Sequence, residues 1–428
     1  MTREGGASSA PTWQAEDFRK TLSPAQQSHW LPGGVAASCG AMRSASRLLL
    51  LLIYVAFVSL GLPDGALGVA WPAAYPDLHL PIGLAGTILT LGTLFTGLSA
   101  FSSGWLLARW TTGPVVLVSC VLTASGLLLL SHAQGAAWLY AAAVPLGFGA
   151  GAVDASLNGF VAKHYSGRHM NWLHACWGIG ATSGPLVLGW AIGNGHGWRQ
   201  GYLLLAAAQL SLAVGLALTL GWWRQVPETA HAAHVDATGR ALATPANSPA
   251  GWLAPAIFAC YVAAEMTLGL WAGTVLVKSR GFSEETAALC TACYYGAITG
   301  GRILLGFVVD RVGNRVLVNG GVLASLAGLV WFGAVGSTPL AAGAALIVAG
   351  LGFAPVYPCL MHEVPRRFAP TAVQTIIGRQ SGAAALGAAV LPAVAGLVAQ
   401  TSLATVPWLV LGVVVLLLAA IRWLDRMT

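Results

Sequence analysis

The sequence contains few charged residues. Only 8% of its 428 residues are Asp, Glu, Lys or Arg, whereas a soluble globular protein carries about 25%. An ordinary water-soluble domain is therefore excluded. The hydrophobic runs are continuously apolar and lack the alternation of polar and apolar residues that a transmembrane β-barrel shows, so that architecture is excluded as well.

Patterns for metal, redox or nucleotide chemistry are also scarce. Cys290 and Cys293 have CxxC spacing, but no second pair or nearby histidine accompanies them, so we interpret them as packing residues. His231, His234 and Asp236 lie in a polar stretch without the helical or cysteine context of a zinc site. No Walker-type loop is present. We therefore predict no metal, no cofactor and no enzymatic activity.

Long apolar runs dominate the remaining sequence, with 56% hydrophobic residues and a mean hydropathy of +0.72. Runs near 20 residues long can each cross about 30 Å of hydrocarbon. The pattern predicts an all-α polytopic membrane protein with about twelve transmembrane helices. The predicted spans begin near Leu48, Ile82, Pro114, Ala136, Asn171, Gly201, Trp252, Ala287, Val316, Leu340, Gln374 and Val406.

The net charge of +7 is distributed unevenly. Only Arg199, Lys278 and Arg280 fall in loops on one side of the predicted membrane. By the positive-inside rule both termini and the central loop are cytoplasmic in an inner or plasma membrane, and the charge does not indicate nucleic-acid binding. The other side carries Arg43, Arg47, Arg109, Lys163, Arg168, Arg224, Arg240, Arg311, Arg315, Arg366, Arg367, Arg422 and Arg426.

The chain divides into two halves. Residues 1–43 are polar and irregular and are predicted to form a disordered cytoplasmic tail. The native protein could instead begin at Met42, in which case most of this tail would not belong to it. We predict six-helix bundles over residues 44–223 and 251–428, joined by a cytoplasmic linker over residues 224–250. Parallel repeats of this kind enclose a central binding site in one large class of secondary transporters.

Three carboxylates interrupt the apolar spans: Asp64, Asp154 and Glu265. An ionised group at the centre of a membrane helix costs about 2.5–3.5 kcal/mol, so such residues mark proton, ion or substrate paths. Asp64 lies between Pro63 and Gly65, where a broken helix could bind a cation or polar ligand. The alternative is that Asp64 only caps the broken helix.

Asp154 and Asn158 are four residues apart and share one helix face. The preceding Gly147, Gly149 and Gly151 let a neighbouring helix approach closely. A carboxylate withdrawn from water there could load and release a proton near neutral pH. The alternative is a structural hydrogen bond between helices.

Glu265 lies near the middle of its span, where substrate sites of such proteins cluster. A carboxylate accepts hydrogen bonds from sugar hydroxyls, and an aromatic ring covers the apolar face of a sugar. We predict a substrate site here, although single aromatic residues in membrane spans also serve packing. Its aromatic candidates are Tyr261, Trp271, Tyr294 and Tyr295.

A loop motif in each half resembles the signature of the major facilitator superfamily. The second half has Gly306, Asp310, Arg311 and Gly313, whereas the first half has Ala108 in place of the Asp, followed by Arg109. The resemblance covers Arg47 to Arg426. It implies two pseudo-symmetric six-helix bundles and a gating role for the motif residues.

Several stretches resemble the branch containing L-fucose/proton symporters and glucose or mannose permeases. They include Gly61-Leu-Pro-Asp64-Gly, Asp154-Ala-Ser-Leu-Asn158, and Asn171-Trp-Leu-His174 leading to Gly180. The resemblance implies that Asp64 and Asp154 serve proton coupling, with Asp154 one methylene shorter than the Glu of the fucose symporter.

Four further candidates lie nearer the cytoplasmic ends of their spans: His174, Trp177, Arg302 and Arg379. They could form a gate network or contact substrate. For the two arginines we favour pairing with Asp310, with Glu363 or with helix-end carbonyls.

We therefore predict a monomeric transporter in contact with membrane lipids that takes up a sugar or similar small polar solute with protons, by alternating access. The proton gradient is its expected driving force. An exporter of drugs or metabolites is the first alternative, because Gly180, Gly184 and Pro185 partly match an antiporter signature. A non-transporting membrane receptor or assembly partner is the second.

Overall fold

The computed structural model describes residues 48–64, 66–81, 84–224, 226, 244–334 and 338–428. The predicted tail over residues 1–43 lies outside these ranges. So does most of the predicted linker over residues 224–250, including His231, His234 and Asp236.

Twelve helices within the described residues are long and apolar enough to cross a membrane, as the hydropathy pattern predicted. We number them α1 to α12. They are Leu48–Asp77, Leu84–Arg109, Thr112–Ser131, Ala136–His164, Gly167–Gly193, Gly197–Leu218, Pro249–Ser279, Leu289–Val312 (which continues the helix that begins at Glu284), Asn314–Ala334, Pro339–Arg367, Val373–Thr401 and Leu403–Met427.

The predicted starts near Leu48 and Ala136 coincide with the observed ones. The starts of α5 and α6 lie about one helical turn earlier than predicted. Their first turns contain Arg168 and Arg199, which hydropathy excludes from a span. Both arginines bind carboxylates of other helices and are thereby held in the first turn.

Helix α1 is broken where the sequence indicates. Helical residues 48–61 are followed by a turn over residues 62–64, and the helix resumes as Ala66–Asp77. Pro63 lacks an N–H and disrupts the hydrogen-bond ladder. The turn is closed by the Asp64 N–H, which donates to the Gly61 carbonyl at 3.0 Å. The predicted break beside Asp64 is therefore present.

The helices pack in two bundles of matching arrangement. In the first, α4 packs against α2 and α3; in the second, α10 packs against α8 and α9. Glycines permit the closest approaches: a Cβ at Gly147 or Gly151 would collide with the backbone of α2. Helix-to-helix packing through small residues is common in membrane proteins.

The bundles contact each other through α2 with α11, α5 with α8, and α4 with α10 and α11. We call the end bearing the α2–α3, α4–α5, α8–α9 and α10–α11 connections the basic end. Within the described residues, the hydrogen bonds between bundles extend from the level of Asp154 to this end. For example, Trp172 Nε1 donates to the Ile303 carbonyl at 3.2 Å, and Gln374 Nε2 donates to the Ala155 carbonyl at 3.0 Å. The basic end is therefore closed.

Candidate functional site

Asp64 lies at the break in α1 with its side chain exposed. Close backbone contacts between α1 and α5, made possible by Gly180 and Gly184, place it beside Trp177. The Trp177 Nε1–H donates to Asp64 Oδ2 at 2.8 Å. The carboxylate thus accepts a side-chain hydrogen bond from α5 and remains accessible from outside the helix.

A cavity of about 190 Å³ adjoins Asp64 within the first bundle. Its walls come from α1, α2, α3, α4 and α6, and most of the lining side chains are apolar, with Thr93, Thr96 and Thr123 supplying hydroxyls. The Asp64 carboxylate is the charged group in this lining. The cavity could receive a small solute with an apolar part and one polar group.

Asp154 and Asn158 form a hydrogen-bonded pair on α4, as their spacing predicted. Asn158 Nδ2 donates to Asp154 Oδ1 at 3.0 Å, and Asn158 Oδ1 lies 3.0 Å from Nε2 of His174 on α5. Asn158 is fully buried and His174 nearly so. Asn158 therefore connects the Asp154 carboxylate to the imidazole.

The second bundle approaches the same carboxylate. The Tyr357 hydroxyl of α10 donates to Asp154 Oδ2 at 3.5 Å, and the Tyr357 ring lies against His174 with a centroid separation of 4.6 Å. Among the described residues, the side chains that hydrogen-bond to this carboxylate are the Asn158 amide and the Tyr357 hydroxyl, and both are uncharged.

Glu265 has a different environment. It lies on α7 with Oε1 3.6 Å from Nη2 of Arg302 on α8, and its other carboxylate oxygen accepts from the Tyr261 hydroxyl. Glu265 and Arg302 are 7% and 4% exposed. The Tyr294 hydroxyl donates to the backbone carbonyl of Glu265 at 2.9 Å. The carboxylate is thus part of a buried ion pair inside the second bundle.

The expected pairing of Arg302 with Asp310, Glu363 or a helix-end carbonyl is wrong, because Arg302 pairs with Glu265. For Arg379 the same expectation is also wrong, because its partners lie in the turn before α7 and not at a helix end. Its Nη1 donates to the Ala246 carbonyl at 2.6 Å.

Trp271 and Tyr295 are not brought together with the Glu265 carboxylate in the structure. Trp271 is six residues beyond Glu265, which places it on another face of the helix. Its Nε1 donates to the Pro392 carbonyl at 3.1 Å. Tyr295 is 40% exposed, and its hydroxyl lies against Gly269. Tyr261 and Tyr294 are the predicted aromatic residues that contact Glu265.

At the basic end, Asp310 accepts hydrogen bonds from Arg168 Nε at 2.6 Å and from the Arg168 backbone N–H at 3.3 Å. Gly313 has φ +90°, a conformation in which glycine avoids the steric penalty of a side chain, and it separates α8 from α9. Arg109 lies 4.2 Å above the Trp105 ring. The Asp310 motif therefore joins the two bundles, whereas the described contact of Arg109 stays within α2.

Sequence reasoning missed Tyr357 and Arg168. A tyrosine in an apolar span has no pattern of its own, and its partner depends on helix packing. A signal for Tyr357 does exist: it follows Pro355, at which α10 divides into Pro339–Phe353 and Val356–Arg367. Among the described residues, no group of three or more His, Cys, Asp or Glu could hold a metal ion.

Comparisons with known proteins agree with this architecture. The chain matches the Major Facilitator Superfamily family model over residues 53–368 and 253–427. It is similar to an uncharacterized MFS-type transporter of Yersinia pestis, with 25% identity over 338 residues that cover 74% of this chain and 84% of the relative.

Solved structures share the fold at low sequence identity. An outward-conformation structure of the MFS transporter FucP has a TM-score of 0.69 and 14% identity, covering 89% of this chain and 99% of its own. The proton:xylose symporter XylE gives 0.68 and 13%, covering 86% and 94%.

The human organic anion transporter MFSD10 gives a TM-score of 0.66 and 16% identity, covering 88% of this chain and 99% of its own. With the family match and the twelve apolar helices, these likenesses lead to one conclusion. The chain belongs to the Major Facilitator Superfamily and is a multi-pass membrane transporter.

Proposed function

We propose that this transporter couples the uptake of a sugar or similar small polar solute to proton entry by alternating access. The observation that carries the proposal is the position of Asp154. Its carboxylate contacts the first bundle through Asn158 and the second through Tyr357. A group between two moving bundles can link its own protonation to their rearrangement.

The uncharged partners of Asp154 support proton coupling. A carboxylate in contact with a guanidinium keeps its charge, because the pair would otherwise leave a buried cation unmatched. An amide and a hydroxyl impose no such requirement, and a protonated carboxyl can still exchange hydrogen bonds with them. Asp64, whose side chain is exposed at the break in α1, is the second candidate for a carboxylate that takes part in proton coupling.

The polar groups near Asp154 support a hydroxylated solute. Asn158, His174 and Tyr357 supply amide, imidazole and hydroxyl groups within one connected cluster. Binding sites built from such hydrogen-bonding groups favour neutral polar molecules. A similarly folded protein is the Escherichia coli fucose:proton symporter, with a TM-score of 0.66 and 14% identity. Its solute and coupling ion are consistent with the proposal for this chain.

Export of an amphipathic organic compound is the second candidate. It is favoured by the mostly apolar lining of the cavity beside Asp64. A basic amine with an apolar body would match one carboxylate among apolar walls. In this case Asp64, and not Asp154, would determine which compounds bind.

A proton-flux screen in proteoliposomes tests the proposal. Purified protein would be reconstituted into liposomes that contain a pH-sensitive dye. The proton flux caused by neutral sugars and polyols would be compared with that caused by lipophilic cations. We expect at least one neutral sugar or polyol to drive proton entry. Proton movement with the cations alone, lost in Asp64→Asn, would establish the exporter. Protein-free liposomes give the background.

We further propose that the basic end faces the cytoplasm of a cell whose inner or plasma membrane holds the protein, so that the closed end of this conformation faces inward. The support is the distribution of arginines under the positive-inside rule. Ser248 caps the start of α7 at this end, where its hydroxyl accepts from the Gly251 N–H. A Ser248→Cys variant should react with an impermeant thiol reagent only after cells are permeabilised.

The labelling control is Ser402→Cys, just before α12 at the opposite end. It should react in intact cells. Each variant is compared with the unsubstituted protein, which has cysteines of its own. Labelling of Ser248→Cys in intact cells would reverse the orientation.

A further inference from the structure

At the basic end, α8 meets α5 and α2 meets α11 in related contacts. Of these two contacts, only the first contains an ion pair among the described residues. In the second half, Asp310 of α8 binds the Arg168 side chain and its backbone N–H at the start of α5. One helical turn earlier, Gly306 lies directly against the Trp172 ring. The carboxylate thereby attaches α8 to the other bundle.

The matching position in the first half lacks this charge pair. Gly104 of α2 lies against Thr375 of α11, as Gly306 lies against Trp172. Ala108 lies four residues after Gly104 and corresponds to Asp310, which lies four residues after Gly306. Thr371 lies four residues before Thr375 and corresponds to Arg168, which lies four residues before Trp172. Here α2 meets α11 with a methyl group and a hydroxyl in place of a carboxylate and a guanidinium.

A cavity of about 520 Å³ occupies this place. Ala108 and Thr111 of the α2 end, Lys163 and His164 of α4, and Thr371 before α11 all line it. Its volume falls in the range of about 300–1,000 Å³ typical of small-ligand sites.

The described lining also includes Arg224 and contains no Asp or Glu. Arg224 is exposed, and Lys163 and His164 are half-buried, so a ligand can reach this side of the cavity from outside. Because the lining combines two permanent cations with hydroxyl groups on both bundles, it is complementary to an anion with several acceptor oxygens.

We propose that a phosphate group binds in this cavity and supplies the negative charge that Ala108 cannot. Phosphate oxygens form short, charge-assisted hydrogen bonds with ammonium and guanidinium groups. Lys163 and Arg224 would hold the group from the first bundle, and Thr371 would donate from the second. The bound anion would then join α4 to α11 and stabilise the closed basic end, whichever solute the protein carries.

Two sources offer this chemistry: the headgroup of an anionic phospholipid and free inorganic phosphate. The first arm of the test measures the thermal unfolding temperature of the purified full chain in detergent. Inorganic phosphate is titrated against chloride at constant ionic strength. The second arm compares nanodiscs of phosphatidylglycerol with nanodiscs of phosphatidylcholine.

Four variants accompany the wild type. Lys163→Gln and Arg224→Gln each remove one proposed phosphate ligand, and Ala108→Asp supplies a carboxylate from the protein itself. Arg422→Gln is the matched control, since Arg422 is an exposed arginine near the end of α12 outside the cavity. Arg224 and Ala108 are exposed positions, so their variants should fold even if Lys163→Gln does not.

We expect the wild type and Arg422→Gln to gain thermal stability with one of the two probes. Lys163→Gln and Arg224→Gln should each require about tenfold more phosphate, or lose the gain from phosphatidylglycerol, because one charged hydrogen-bond donor is gone. Ala108→Asp should no longer respond. A response to phosphatidylglycerol alone identifies the lipid headgroup, and a response to free phosphate identifies the soluble anion as sufficient.

The proposal is overturned if neither probe stabilises the wild type. It is also overturned if Arg224→Gln and Ala108→Asp respond as strongly as Arg422→Gln, because the stabilisation would then be a general salt or lipid effect.

Discussion

Asp154 and Glu265 are two partly or fully buried carboxylates in one molecule, and their surroundings differ. Glu265 forms an ion pair with Arg302 inside the second bundle. Asp154 lies between the bundles and contacts Asn158 and Tyr357, which carry no charge. Two acids in apolar spans can thus have separate roles: the ion-paired one joins α7 to α8 within a bundle, and the one without an ionic partner can change its protonation state as the bundles move.

The largest expected effect is the loss of proton coupling in Asp154→Asn, which removes the carboxylate that has no ionic partner. The amide resembles a permanently protonated carboxyl, so accumulation driven by a proton gradient should be abolished while solute exchange at equal concentrations continues. Both are measured with radiolabelled solute in proteoliposomes. Asp77→Asn is the control, since Asp77 pairs with Arg199 at the opposite end. Wild-type accumulation in Asp154→Asn would contradict the assignment.

A large effect of another kind is expected at Glu265. Glu265→Gln leaves the Arg302 guanidinium buried without its counter-charge, and breaking a buried pair costs about 3–5 kcal/mol. The thermal unfolding temperature in detergent should therefore fall sharply. The double variant Glu265→Gln/Arg302→Gln removes both charges and should recover much of the loss. If the double variant were less stable than Glu265→Gln, the ion pair would not explain the effect.

The smallest expected effect concerns the link from Asp154 to the second bundle. Tyr357→Phe removes the hydrogen bond from the phenol to the Asp154 carboxyl group. Such a bond to the protonated, uncharged carboxyl is worth about 0.5–1.5 kcal/mol net. Uptake should slow by about two- to tenfold, with proton coupling retained. Tyr295→Phe, at an exposed tyrosine, should leave uptake near wild type. Complete loss of coupling in Tyr357→Phe would contradict the minor role that the account gives to this hydrogen bond.

Local patterns predicted the parts of the structure that depend on neighbouring residues. Hydropathy located the twelve spans, Pro63 indicated the break beside Asp64, and the four-residue spacing placed Asn158 against Asp154. In each case the determining residues lie within one helix.

Contacts between helices could not be read in the same way. Arg302 was assigned to the wrong carboxylate, because its pairing with Glu265 depends on how α8 packs against α7. Trp271 is near Glu265 in sequence but faces α11. Tyr357 reaches Asp154 only because α10 crosses the interface between bundles.

We propose above all that Asp154 is the carboxylate that takes up and releases the proton. Infrared difference spectroscopy tests it directly, because a protonated carboxyl group has a C=O stretch that an ionised one lacks. A pH titration of the reconstituted protein should show such a band from Asp154 as the pH falls, beside the bands of the other carboxyl groups. We predict that Asp154→Asn removes this band and that the Glu265→Gln/Arg302→Gln variant retains it. A band that persists in Asp154→Asn and disappears in the double variant would contradict the account.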